Sequence, residues 1–143
     1  MMKKYMLEAL KEADKAFKLG EVPIGAVIVK DGKIISRAFN KKESSNLATS
    51  HAEILAINKA CKKLNNWRLL DCTLYVTVEP CLMCCGAIIQ SRIKKVVYGT
   101  SNEYYGAVES IDNTLKKYNI EVENNILQNE CSNIMKEFFK KRR

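Results

Sequence analysis

Thr73-Leu74-Tyr75-Val76-Thr77-Val78-Glu79-Pro80-Cys81-Leu82-Met83-Cys84-Cys85 is the stretch whose reading decides the fold. Residues 73–78 alternate in pattern and are rich in β-branched and aromatic side chains, which fits a central strand of a sheet. A helix from about Cys81 to Ser91 follows with no linker, and Pro80 is compatible with a sharp strand-to-helix turn. A strand that feeds a helix in this way points to a layered α/β architecture.

Working outward, Met6, Leu7, Leu10, Ala13 and Phe17 recur at three- and four-residue steps, which predicts an amphipathic helix from Met6 to Leu19 with Gly20 as its stop. Residues 22–29 form a β-branched run too apolar to be half exposed, and Asp31-Gly32 is a hairpin signal before residues 34–38. Asn40 to Thr49 reads as a polar loop, with Ser50 as the cap of a helix from His51 to Leu64. Beyond the central stretch, Lys95 to Gly99 is a short strand, Asn102 to Asn113 a loop, and Ile120 to Val122 an edge strand. Glu130 to Lys141 is an amphipathic helix with Cys131, Ile134, Met135 and Phe138 inward. The alternation argues for a three-layer α/β domain, and the length of 143 residues for one domain, 1–143.

Composition narrows the class. Hydrophobic residues are 47% and charged residues 28%, with only two prolines and six glycines, which excludes a disordered or low-complexity chain. No stretch approaches the roughly 20 apolar residues that span a bilayer, and the opening lacks a signal-peptide run, so the expected location is the cytoplasm, with no membrane partner. Three of the six cysteines crowd into residues 81–85, which suits reduced thiols and a metal better than a disulfide framework. The net charge of +8 favours polyanionic partners. Biased codon content would also produce a chain rich in Lys, Asn and Ile.

The chemistry gathers at two places. A hydrolytic zinc site needs three protein ligands and an open position for water, and His51, Cys81 and Cys84 count to three. Cys81 and Cys84 lie in the first turn of a helix, where the unpaired amides and the dipole lower thiol pKa. His51 and Glu53 face one site only at an irregular helix start, where Glu53 could take a proton from a metal-bound water and pass it to a leaving group. Each part also has a plainer reading. Ser50-His51-Ala52-Glu53 fits a capping box, the cysteines could be core thiols or a redox pair, and Cys85 competes with Cys84 because Cys81 and Cys85 share nearly the same face. The conjunction of H-x-E with P-C-x-x-C, in that order and each at a helix start, is the known signature of zinc nucleobase deaminases.

On Glu21 to Val29, His51 to Ile57, Arg68 to Gly99, Ser91-Arg92-Ile93 and Phe138 to Arg143, the chain resembles the bacterial tRNA-specific adenosine deaminases of the cytidine-deaminase-like superfamily. That resemblance implies a three-layer α/β/α fold, a five-stranded mixed sheet with helices on both faces, and a homodimer whose active sites draw on both subunits. It implies one Zn2+ per subunit on His51, Cys81 and Cys84, with Glu53 as the catalytic proton carrier. The implied reaction is hydrolysis of the wobble adenosine of a tRNA anticodon to inosine. Asn40 would hydrogen-bond the flipped base, Val22 and Pro23 would line its pocket, and Phe139, Arg142 and Arg143 would contact the anticodon loop.

One segment departs: where the family commonly carries an Asp-x-Lys-x-Gly-Ala stretch, this chain has Asn102-Glu103-Tyr104-Tyr105-Gly106-Ala107. A deaminase of a free base or nucleotide, of guanine or cytosine type, would share zinc and Glu53 without needing the basic tail. A non-catalytic RNA-binding subunit would be expected to lack Glu53.

Overall fold

Asp31 and Gly32, with φ of 52° and 74°, form the tight turn that the Asp-Gly pair requires, and they join β1 (Gly25–Lys30) to β2 (Lys33–Phe39) in an antiparallel hairpin. The architecture comes from a computed structural model in which residues 1–142 are described. Around the hairpin are α1 (Met2–Lys18), α2 (Lys42–Ser45), α3 (Ala52–Leu64), β3 (Cys72–Val78), α4 (Leu82–Gln90), β4 (Lys95–Thr100), β5 (Glu121–Glu123) and α5 (Gln128–Lys141). A single turn of 3-10 helix covers Lys116–Tyr118. The five strands make one mixed sheet in the order β2-β1-β3-β4-β5, antiparallel across β2, β1 and β3 and parallel from β3 through β5.

Strand alternation distributes the core to both faces of this sheet. Ala26, Ile28, Leu74, Val76, Val96 and Tyr98 pack with α3 and α4, through Ala52, Ala56, Cys85 and Ile88. The intervening Val27, Val29, Tyr75 and Val97 pack with α1 and α5, through Tyr5, Met6, Ala9 and Cys131. Successive side chains of a strand point to opposite faces, so β1 and β3, interior in the sheet and covered on both sides, read as nearly continuous apolar runs. Close approach is built in at two glycines. A Cβ on Gly25 would collide with the Ala9 carbonyl of α1, and one on Gly99 with the Cys131 sulfur of α5.

Several boundaries differ from expectation, each for a local reason. The first helix starts at Met2 because Tyr5 and Met6 already pack on the sheet, whereas Leu7 turns outward. The edge strand is displaced to Glu121–Glu123, where Lys95 pairs with Glu121 at 3.0 Å, while Ile120 sinks into the core. The expected polar loop after Asn40 contains the single-turn α2. The largest difference, at the start of α3, belongs to the site.

Candidate active site

Two helix starts converge here. His51 is the N-cap of α3, extended at φ −74° and ψ 152°, and its carbonyl accepts the first helical bond from Leu55 N at 3.0 Å. Ser50 therefore sits one residue outside the helix and makes no cap, and the capping box does not form. Its hydroxyl accepts a hydrogen bond from Ser45 Oγ at 3.0 Å instead. This non-helical residue is what allows His51 and Glu53, two apart in sequence, to serve one site. Cys81 repeats the arrangement as the extended N-cap of α4, with Cys85 N donating to its carbonyl at 2.9 Å.

The His51 Nδ1 lies 3.7 Å from Cys81 Sγ and 3.5 Å from Cys84 Sγ, and all three donor atoms fall within 4.8 Å of one another. Tetrahedral zinc with bonds of about 2.3 Å to sulfur and 2.0–2.1 Å to nitrogen would hold sulfur and nitrogen ~3.6 Å apart. The donor set thus has the spacing and the chemistry to hold zinc. Cys85 is outside this group: it is buried, directs its thiol toward the Pro80 carbonyl at 3.8 Å, and burial pushes it up to about 12. Between the other two, hydrogen bonding from Cys84 and then His51 brings Cys81 down to about 4, whereas contact with Cys81 and burial push Cys84 upward. The hydrogen bond with Cys81, despite burial, raises His51.

Glu53 stands outside the three-donor group and is only 4% exposed. Burial raises its carboxyl to about 7, against the lowering effects of its own backbone amide and the nearby His51. A carboxyl near neutrality both accepts and delivers protons, which is what a general acid and base in one side chain requires.

Asn40 is buried, and its amide donates to Val22 O at 3.2 Å while its Oδ1 accepts from Lys42 N at 3.1 Å. Pro23 is buried beside Val22. The buried Glu21 holds the neighbouring loop by accepting the Glu43 N–H at 3.0 Å and the Ser44 N–H. Val22 and Phe139 line a groove of ≈ 1150 Å³ together with the end of β3, the 100–105 loop and α5. The donor group does not line this groove. Cys81 borders a smaller, apolar cavity of ≈ 380 Å³ with Leu82, Met83 and Ile111, and Tyr104 and Tyr105 form the wall common to both.

Arg142, expected to contact the anticodon loop, also makes contacts within the chain. Its guanidinium donates to Gly20 O at 2.7 Å and lies over the Phe138 ring at 4.3 Å, which ties α5 to the end of α1 while leaving the side chain exposed. Arg143 lies outside the described residues.

Glu79 is the residue that sequence reasoning passed over. Its carboxylate accepts N–H bonds from Asn102 and Val108 at 3.1 Å, Glu109 at 2.7 Å and Ser110 at 2.9 Å, together with the Ser110 hydroxyl. Burial alone would raise it, but these donors outweigh burial and hold its pKa below 4.5. An acid directly after a largely apolar, largely buried strand was the available signal, since such a group must find donors.

A family model described as MafB19-like deaminase matches residues 2–143. The chain belongs to this deaminase family. A tRNA-specific adenosine deaminase from Streptococcus pyogenes serotype M1 is 50% identical to it, over 97% of this chain and 84% of the relative. A solved structure from a study of A-to-I editing by tRNA:A34 deaminases at the wobble position superposes with a TM-score of 0.87, 40% identity, and coverage of 92% of this chain and 98% of that one. The guanine deaminase of Bacillus subtilis superposes with a TM-score of 0.66 and 38% identity, over 82% of this deaminase and 69% of that chain. Among the described residues no helix is long and apolar enough to cross a membrane.

Proposed function

We propose that this deaminase converts the wobble adenosine of a tRNA anticodon to inosine, with one zinc ion held by His51, Cys81 and Cys84 in a single domain spanning residues 1–143. The observation that carries the chemistry is the three-donor group of His51, Cys81 and Cys84 with the buried Glu53 carboxyl beside it. The substrate reading rests on likeness to the Streptococcus pyogenes relative, and the net charge of +8 agrees with a polyanionic partner. Zinc, when bound, supplies an acidified water as the nucleophile at neutral pH.

Glu53 removes a proton from the attacking water and delivers it to N1 of the adenine ring as oxygen bonds to C6. It then takes the remaining hydroxyl proton and passes it to the C6 amino group, so that the C–N bond breaks and ammonia leaves. The sum is adenosine plus water giving inosine plus ammonia, with Glu53 returned to its starting state. Asn40, held by Val22 O and Lys42 N, presents its second amide N–H toward the base, and Val22 and Pro23 wall the pocket. Phe139, Arg142 and Arg143 meet the anticodon loop, Arg142 through the guanidinium N–H groups not engaged by Gly20. A homodimer in the cytoplasm completes the proposal, and the exposed Leu82 and Ile111 beside Cys81 offer apolar surface for a second copy.

The test is to incubate the zinc-loaded protein with total tRNA and, separately, with adenosine, guanine and cytosine, and to measure ammonia and inosine. Inosine from tRNA alone is the expected result. Turnover of guanine or cytosine without reaction on tRNA would overturn the substrate and favour the free-base reading, for which the Bacillus subtilis structure is the precedent.

A further inference from the structure

Tyr104 and Tyr105 are 80% and 72% exposed, and no protein group hydrogen-bonds either phenol among the described residues. Two adjacent aromatic rings left in solvent ordinarily sit on a mobile loop, but the backbone beneath these is held from several sides. Tyr105 N donates to Asn102 Oδ1 at 3.2 Å, Gly106 N to Asn102 O at 2.8 Å and Ala107 N to Pro80 O at 2.9 Å. Glu79 fixes both flanks of the segment through Asn102 and Val108, and Gly106 forms a bridge directly to Cys81. Gly106 must be glycine, because a Cβ there would collide with the Glu79 carboxylate. The rings are therefore presented on rigid backbone, one bridge away from the donor group.

Both rings face the ≈ 1150 Å³ groove whose opposite wall is α5, with the half-exposed Phe139 and the exposed Lys136 and Lys140. Glu103 is the single acid among the described residues lining it. Aromatic faces with lysines between them suit a single strand of nucleic acid, whose bases stack while the phosphates are neutralised. A tyrosine has few rotatable bonds to immobilise, so stacking costs it little conformational entropy.

We propose that Tyr104 and Tyr105 form a stacking platform for the unpaired RNA bases flanking the reacting adenine. This rests on the reading of the chain as an RNA deaminase. The tyrosines grip the RNA by ring surface rather than by charge, so the contacts of this loop depend little on salt.

The test uses zinc-loaded full-length protein and an anticodon stem-loop RNA with 2-aminopurine at a base flanking the target, in wild type, Tyr104→Ala, Tyr105→Ala and the two Tyr→Phe variants. Each Ala variant should raise Kd and KM about 5- to 150-fold and restore 2-aminopurine fluorescence, while each Phe variant keeps both near wild type. Ala variants that bind within about twofold of wild type, or quenching that survives both of them, would overturn the platform. So would loss of self-association in sedimentation at unchanged RNA affinity, which would make the pair a contact between copies. A wild-type chain that yields no inosine from tRNA would remove the underlying reading, whereas active wild type with indifferent Ala variants removes only the platform.

Discussion

Replacing Glu79 with Gln keeps the shape of the side chain and removes its charge, which isolates what the carboxylate does for the 102–110 loop. Its two oxygens take four N–H groups and one hydroxyl. The best orientation for Gln leaves its one oxygen on the N–H groups of Val108, Glu109 and Ser110. The NH2 then faces Asn102 N–H, donor against donor, while the Ser110 hydroxyl can turn and accept. An orphaned buried N–H costs about 1–3 kcal/mol. Turning three charge-assisted bonds into neutral ones, each roughly half as strong, adds on the order of 1 kcal/mol after solvent compensation. The expected loss is about 2–4 kcal/mol, read as a urea midpoint lower by ~1–2 M with an unchanged slope.

The acid side of the stability profile provides a second reading. The Glu79 pKa is lowered in the folded state, so its contribution is present above the ordinary unfolded value of 4.5 and disappears as pH falls through the lower folded value. Glu79→Gln should flatten that part of the profile. A midpoint shift below roughly 0.3 M, with the acid limb intact, would refute the claim that this carboxylate organises the loop.

Further outcomes concern the site. Glu53→Ala should retain fold and zinc yet lose at least ~10²-fold in deamination, and near-normal turnover would sink the proton-transfer mechanism. Metal analysis should give one zinc per chain in wild type, and Cys81→Ala or His51→Ala should lose it; retention in Cys85→Ala separates the neighbouring thiols. Cutting the chain after Phe138 should weaken tRNA binding and lower the slope of log affinity against log salt, as fewer phosphates are neutralised. Unchanged affinity across a salt titration would show the basic tail to be only a solvated end.

Much of the molecule was legible because local rules and global packing agree. The β-branched runs at 22–29 and 73–78 named the interior strands, and Asp31-Gly32 named the hairpin, since few other residues adopt positive φ at two successive positions. Both helix starts that carry the site followed from H-x-E and P-C-x-x-C. The signals failed where a residue satisfies a local rule and is recruited elsewhere. Ser50 fits a capping box, yet the extended His51 takes that place.

Residue type and spacing alone thus determined the strand-helix units, the set of candidate ligands and the likeness to a deaminase family, because periodicity and metal chemistry act over a few residues at a time. Tertiary structure decided the rest. It separated Cys84 from Cys85 by bringing one thiol to His51 Nδ1 and the other toward Pro80 O. It raised Glu53 by burying it. It also made Glu79 the anchor of a loop more than twenty residues away, since only the folded chain can set the dielectric around a carboxyl or bring distant amides to it.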